Sequence, residues 1–101
     1  MHKLMSLALV LIFLIGANQA FSGPVKGPTK IDKIRIRAGV TYVMFTGCER
    51  YALIYLNTEY GKAMFSSALT AATADKNVTV QFEDAAGCGT ESQLTYLEVD
   101  F

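Results

Sequence analysis

Two cysteines, Cys48 and Cys88, have the most clearly defined chemistry of any side chains in this 101-residue sequence. Both stand beside glycines, as is typical of loop positions. The single histidine is His2, so the rest of the chain offers no imidazole to activate a cysteine nucleophile or to complete a zinc site. An even cysteine count in a small exported domain favours a disulfide. We therefore predict a bond between Cys48 and Cys88.

Aromatic and charged side chains provide a second kind of chemistry, the binding of a ligand between aromatic ring faces and polar groups. The simpler interpretation is that each tyrosine is packed in the ordinary way with its hydroxyl at the surface, and that the arginines form a solvated strand face. The candidate ligand-binding residues are Arg35, Arg37, Tyr42, Glu49, Tyr51 and Tyr96, with Tyr55 as a further aromatic.

The charge balance argues against several functions. The 9 Lys+Arg and 9 Asp+Glu side chains give a formal charge of zero, so no excess charge favours nucleic acid or an anionic membrane. The sequence has no glycine-rich phosphate loop and no nucleophile–base pair, and the neighbours Glu83 and Asp84 would point to opposite faces of a strand. We expect a protein that is not an enzyme and that holds neither cofactor nor metal.

The first 22 residues have the three parts of a secretory signal peptide. Lys3 supplies a positive charge, Leu4–Gly16 is an uncharged apolar run, and the small residues of Ala17–Ser22 suit cleavage. The apolar run is shorter than the roughly 20 residues that span a bilayer. We expect cleavage near Ala20–Ser22 and a secreted or periplasmic mature chain that does not insert into the membrane.

The remaining sequence predicts a flexible arm followed by one domain. Residues 23–29 hold both prolines and are interpreted as the arm, and residues 30–101 as the domain. Isoleucines alternating with arginines at 34–37 predict a strand, and Val40–Thr46 and Tyr51–Leu56 predict two more. These last two strands are apolar on both faces, which indicates either barrel curvature or an oligomer interface.

One helix and two further strands complete the prediction. Glu59–Asp75 is predicted as the helix, ended by Lys76 and Asn77, with Asn77 suited to a left-handed cap position. Alternation predicts strands at 78–83 and at Leu94–Phe101, joined by a loop. The helix is expected to bury Phe65, Ala68, Leu69 and Ala72, flanked by Met64, and the last strand is expected to turn Leu97, Val99 and Phe101 inward.

The order β-β-β-α-β-β is that of the OB-fold, a five-stranded, partly open barrel. We therefore expect an α+β, mostly β domain of OB type with a single helix at about residues 59–75. A mixed α+β sheet with the helix on one face is the competing architecture.

The helix-to-strand passage resembles that of small secreted bacterial OB-fold proteins. The matching segments are Met64–Ala72 and Asp75–Val80, together with Gly87-Cys88 before the final strand. B subunits of pentameric toxins, the subtilase-cytotoxin and pertussis-like group, have this passage in the same order of elements. The resemblance implies a glycan-binding homo-oligomer, with five subunits if it is toxin-like. Two departures are Asp75, where glycine is usual, and residues 29–37, which lack the serine of the toxin sugar pocket.

Two functions fit these observations. The first is an exported binding module, similar to a toxin B subunit, that holds a glycan. The alternative is a secreted or periplasmic protein of structural or inhibitory type that binds an envelope or secreted protein. The sequence carries no information on a separate catalytic subunit.

Overall fold

A computed structural model describes residues 23–101 as a sheet-rich α+β domain with six strands and one helix. The predicted signal peptide lies outside these described residues. Within the described part, no helix is long and apolar enough to cross a membrane. The elements are β1 (Val25–Thr29), β2 (Ile31–Arg37), β3 (Val40–Phe45), β4 (Ala52–Tyr55), α1 (Glu59–Thr73), β5 (Val78–Phe82), a short 3₁₀ turn (Gly87–Gly89) and β6 (Ser92–Val99).

The strands form one sheet in the order β1-β5-β6-β4-β3-β2, in which only the β4–β6 pair is parallel. Lys30 alone separates β1 from β2, although these strands occupy opposite edges. The sheet must therefore curl until its two edges approach each other at this residue. The Thr29 hydroxyl donates to the Thr46 carbonyl at 3.2 Å there. No ladder joins β1 to β2 among residues 23–101, so the predicted five-stranded barrel is not confirmed.

The segment predicted as a flexible arm, residues 23–29, contains an edge strand instead. β1 pairs antiparallel with β5, with Val25 opposite Gln81 and Thr29 opposite Val78. The prolines do not prevent this because an edge strand bonds through only one side, so a missing N–H at Pro28 is tolerated. The domain consequently begins earlier than predicted, and it has six strands rather than five.

The core lies between the helix and one face of the sheet. Alternate residues of β5 point into it, as its sequence pattern predicts, and so do those of β3 and β4. Phe45 and Phe82 meet edge to face with ring centroids 6.3 Å apart, which links the two halves of the sheet through their largest buried side chains. The fully or nearly fully buried apolar residues of the sheet are Val43, Phe45, Ala52, Ile54, Val78, Val80, Phe82 and Leu94.

The helix has the predicted position, and part of its predicted buried face is confirmed, because Ala68 and Met64 are buried and Phe65 packs half-buried against the core. Its buried residues are Gly61, Met64, Ala68 and Ala71, whereas Leu69 is 47% exposed. The small side chains on the inner face let the helix axis come close to the sheet, which turns Leu69 outward. The prediction for the C-terminal residue is also corrected, since Phe101 follows the end of β6 and is 87% exposed.

The helix ends through a left-handed residue. Asp75 has φ +56°, and the next N–H, that of Lys76, bonds back to the Ala71 carbonyl at 2.8 Å. The left-handed position is therefore Asp75 and not Asn77. Asp75 thus occupies a position for which glycine is the residue best suited, because glycine adopts positive φ without strain.

Candidate functional site

The candidate site lies on the face of the sheet that points away from the helix. Thr41, Val43 and Phe45 of β3 point to the core, so the intervening Tyr42 and Met44 point outward. Arg35 of β2 is the ladder partner of Tyr42, and directly paired residues share a face. Strand alternation and register thus place Arg35 beside Tyr42 on the outer face.

An open groove of about 420 Å³ forms on this face. It brings together five of the six predicted ligand-binding residues. Tyr96 is not among them, because it lies on β6 opposite Gln81, at the other end of the outer face. The groove is lined by Arg35, Arg37, Tyr42, Met44, Glu49, Arg50, Tyr51 and Glu91.

Three lining residues were not predicted: Met44, Arg50 and Glu91. Met44 shares its face with Tyr42 by simple alternation, so the pattern of β3 could have identified it. Arg50 and Glu91 come from two loops, β3–β4 and β5–β6. Only the predicted disulfide, which joins these loops, could have indicated that the two meet.

The aromatic part of the groove has a defined geometry. The rings of Tyr42 and Tyr51 are edge to face, with centroids 6.1 Å apart and planes at 88°. The guanidinium carbon of Arg35 lies 4.9 Å from the ring centroid of Tyr51, within cation–π range. These contacts hold one arginine and two tyrosines in a fixed relative arrangement before any ligand binds.

The predicted disulfide is confirmed, and it lies next in sequence to two groove residues, Glu49 and Arg50. The Cα atoms of Cys48 and Cys88 are 5.3 Å apart, and the Arg50 N–H donates to the Cys88 carbonyl oxygen at 3.1 Å. The bond therefore fixes the loop that carries Glu49 and Arg50 against the loop that leads to Glu91.

Within residues 23–101, no charged group of the groove forms an ion pair. The two ion pairs in this part of the chain are Lys30–Asp75 and Lys62–Glu59, and none of these four residues lines the groove. Three arginines and two glutamates thus surround the cavity without neutralising one another through direct contact. Guanidinium groups bind carboxylate, sulfate or phosphate, and glutamates accept hydrogen bonds from hydroxyl groups. In the described part of the chain, no cluster of three His, Cys, Asp or Glu residues is placed to hold a metal.

No protein-family model, curated protein or solved structure matches this chain.

Proposed function

We propose that this is an exported, non-catalytic binding protein whose outer-face groove holds a glycan. The observation that carries the proposal is the convergence of Arg35, Tyr42, Glu49 and Tyr51, chosen from sequence as sugar-binding types, on a single cavity. They come from two strands and a loop, so their meeting is a product of the fold.

The groove offers the contacts that a saccharide needs. A sugar ring has apolar faces that stack on aromatic side chains and hydroxyl groups around its rim. Tyr42 and Tyr51 supply the aromatic surface, and Glu49 and Glu91 supply acceptors for hydroxyl donors. Arg50 provides donors at the end fixed by the disulfide. The contacts between Arg35 and Tyr51 reduce the side-chain entropy lost on binding, which favours affinity.

The topology supports placing the chain among OB-like proteins. If β1 and β2 are taken as one strand bent at Lys30, five strands remain, with one helix between the third and fourth. OB barrels bind oligosaccharides on the face of strands 2 and 3, and here the equivalent strands are β3 and β4. We extend the proposal to a toxin-B-like homo-oligomer, for which Leu53, a half-buried outer residue of β4 that does not line the groove, is a candidate for contact.

Glycan-array binding of the disulfide-bonded protein, produced from the full chain in an exporting host, tests the proposal. We expect a defined glycan class to be retained, with Tyr51→Ala and Arg50→Ala each lowering its affinity at least tenfold. Tyr96→Ala is the matched control, because Tyr96 lies on the same face outside the groove. Absence of any glycan ligand, or equal loss in the control, would refute the proposal.

Light scattering after size exclusion tests the oligomer separately. A mass near five subunits supports the toxin-B-like assembly, and a monomer contradicts it. A monomer that still binds glycan through the groove would leave the binding proposal standing.

A further inference from the structure

We propose that the free edge of β2 binds an extended acidic segment of a partner protein by adding it to the sheet as a seventh strand. This inference concerns the edge of β2, two of whose cations, Arg35 and Arg37, also line the groove, but it does not depend on a glycan there. It rests on three features of β2: its edge position, its row of cations and its exposed isoleucine.

The first feature is an unpaired backbone edge. Among the described residues β2 pairs only with β3, which leaves its other side without a ladder. In an antiparallel pair every second residue directs its N–H and C=O away from the partner strand. The outer side of β2 therefore presents hydrogen-bonding groups that an incoming strand can satisfy.

The second feature is a row of cations on one face of this edge. Lys33, Arg35 and Arg37 alternate along β2, all three are exposed, and none forms an ion pair. The third feature lies on the opposite face, where Ile36 is 63% exposed beside the half-buried Ile34. A strand with acidic residues at every second position and apolar residues between them would pair with the cations and cover Ile36 at once.

The same row of charge argues against a second copy of this edge as the occupant. Two β2 strands placed side by side would bring like charges into direct opposition, which destabilises the pair. Edge cations commonly protect a sheet from self-association. Here they would also select an acidic partner.

A synthetic probe tests the proposal directly. The probe is a capped, fluorescently labelled peptide with the core Val-Glu-Val-Glu-Val-Glu-Val, and anisotropy is followed at low ionic strength. We expect saturable binding that weakens as salt is added. Replacing every Glu of the peptide by Lys should abolish binding. A peptide of the same composition with its glutamates in one block should bind at least tenfold more weakly, because it cannot match alternating cations.

Two further sets of measurements identify the surface. Lys33→Glu and Ile36→Asp should each weaken peptide binding at least tenfold, whereas Lys62→Glu, a charge reversal at an exposed helix position, should not. Methylating alternate backbone nitrogens along one edge of the peptide should abolish binding, and along the other edge should not.

The outcomes separate this proposal from the glycan site. Lys33 and Ile36 do not line the groove. Lys33→Glu and Ile36→Asp should therefore lose the peptide and retain the glycan. Failure of the peptide to bind would overturn the proposal, as would equal binding of the block peptide, indifference to N-methylation, or dimerisation that Ile36→Asp abolishes.

Discussion

The backbone N–H of Arg50 donates a hydrogen bond to the carbonyl oxygen of Cys88 across 3.1 Å, immediately beside the disulfide from Cys48. Two loops that are forty residues apart in sequence are thus joined once covalently and once by a backbone bond. Because Glu49 and Arg50 follow the first cysteine and Glu91 follows the second, this double connection fixes one end of the groove.

Removing the disulfide should lower the free energy of unfolding. For Cys48→Ala/Cys88→Ala we expect a loss of roughly 3–4 kcal/mol in the free energy of unfolding, from the chain entropy restored to a loop of this length. Urea denaturation measures it. The reduced wild-type protein is the control and should unfold at about the same midpoint. A loss below about 1 kcal/mol would contradict the prediction.

Gly61 should tolerate no side chain. A Cβ at this position would lie 1.8 Å from the Tyr55 carbonyl oxygen and 3.2 Å from the Thr58 Oγ1. The clash is with backbone at the point where α1 packs against the end of β4, so Gly61→Ala should destabilise by about 1–3 kcal/mol. Gly89→Ala is the matched control, because a Cβ there meets nothing within 4 Å. Equal melting temperatures for the two variants would show that the helix can move away.

The variant Asp75→Gly should be more stable than the variant Asp75→Ala. Both variants lose the ion pair between the Asp75 carboxylate and Lys30, which is exposed and contributes at most about 1 kcal/mol, and both keep the hydrogen bond from Lys30 to the backbone carbonyl of residue 75. Only glycine adopts the positive φ without strain, so Asp75→Gly should be more stable than Asp75→Ala by about 1 kcal/mol. Thermal unfolding of the pair provides the comparison, and a more stable alanine variant would refute the prediction.

Removing the hydroxyl group of Thr41 should increase the stability of the protein. Its Oγ1 is completely buried and has no hydrogen-bond partner within residues 23–101. Thr41→Val keeps the shape of the side chain and removes an unsatisfied group, so it should stabilise the protein by about 1 kcal/mol. Thr29→Val is the matched control with the opposite sign, because that hydroxyl donates to Thr46. Denaturant midpoints that shift in the same direction would disprove this interpretation.

Arg35 and Tyr51 should be energetically coupled. A double-mutant cycle with Arg35→Met and Tyr51→Leu should give a coupling of about 0.5–1 kcal/mol in unfolding free energy, as expected for a cation–π pair at a partly exposed site. A second cycle pairing Arg35→Met with Tyr96→Leu should show none. Zero coupling in the first cycle would mean that the two side chains are not held together in solution.

Local patterns predicted the elements well, whereas long-range relationships were less accessible. Alternation in β5 gave its buried face, since a half-buried strand has a period of two whatever surrounds it. The β3 segment is apolar on both faces, so its sequence did not show which face would be buried. The prediction for α1 was right for Ala68 and Met64 and wrong for Leu69, because packing against the sheet decides between Leu69 and Ala71. Strand β1 was missed because its pairing with β5 spans more than fifty residues and leaves no local pattern.

The groove shows the same division. Residues on β2 and β3 were predictable by type, and the register of these two strands brings Arg35 beside Tyr42. Arg50 and Glu91 depend on how two loops meet, which the disulfide determines. Tyr96 has the right chemistry, but β6 places it at the wrong end of the face.

The central position of β6 has a consequence for folding kinetics. The last strand in sequence separates β5 from β4, so until residues 92–99 are available the chain holds only a three-stranded meander and a detached β1–β5 pair. Assembly therefore depends on contacts of high sequence separation, which makes folding slow for a domain of this size. During synthesis from the N-terminus, β6 therefore becomes available only after the other five strands of the sheet that it joins.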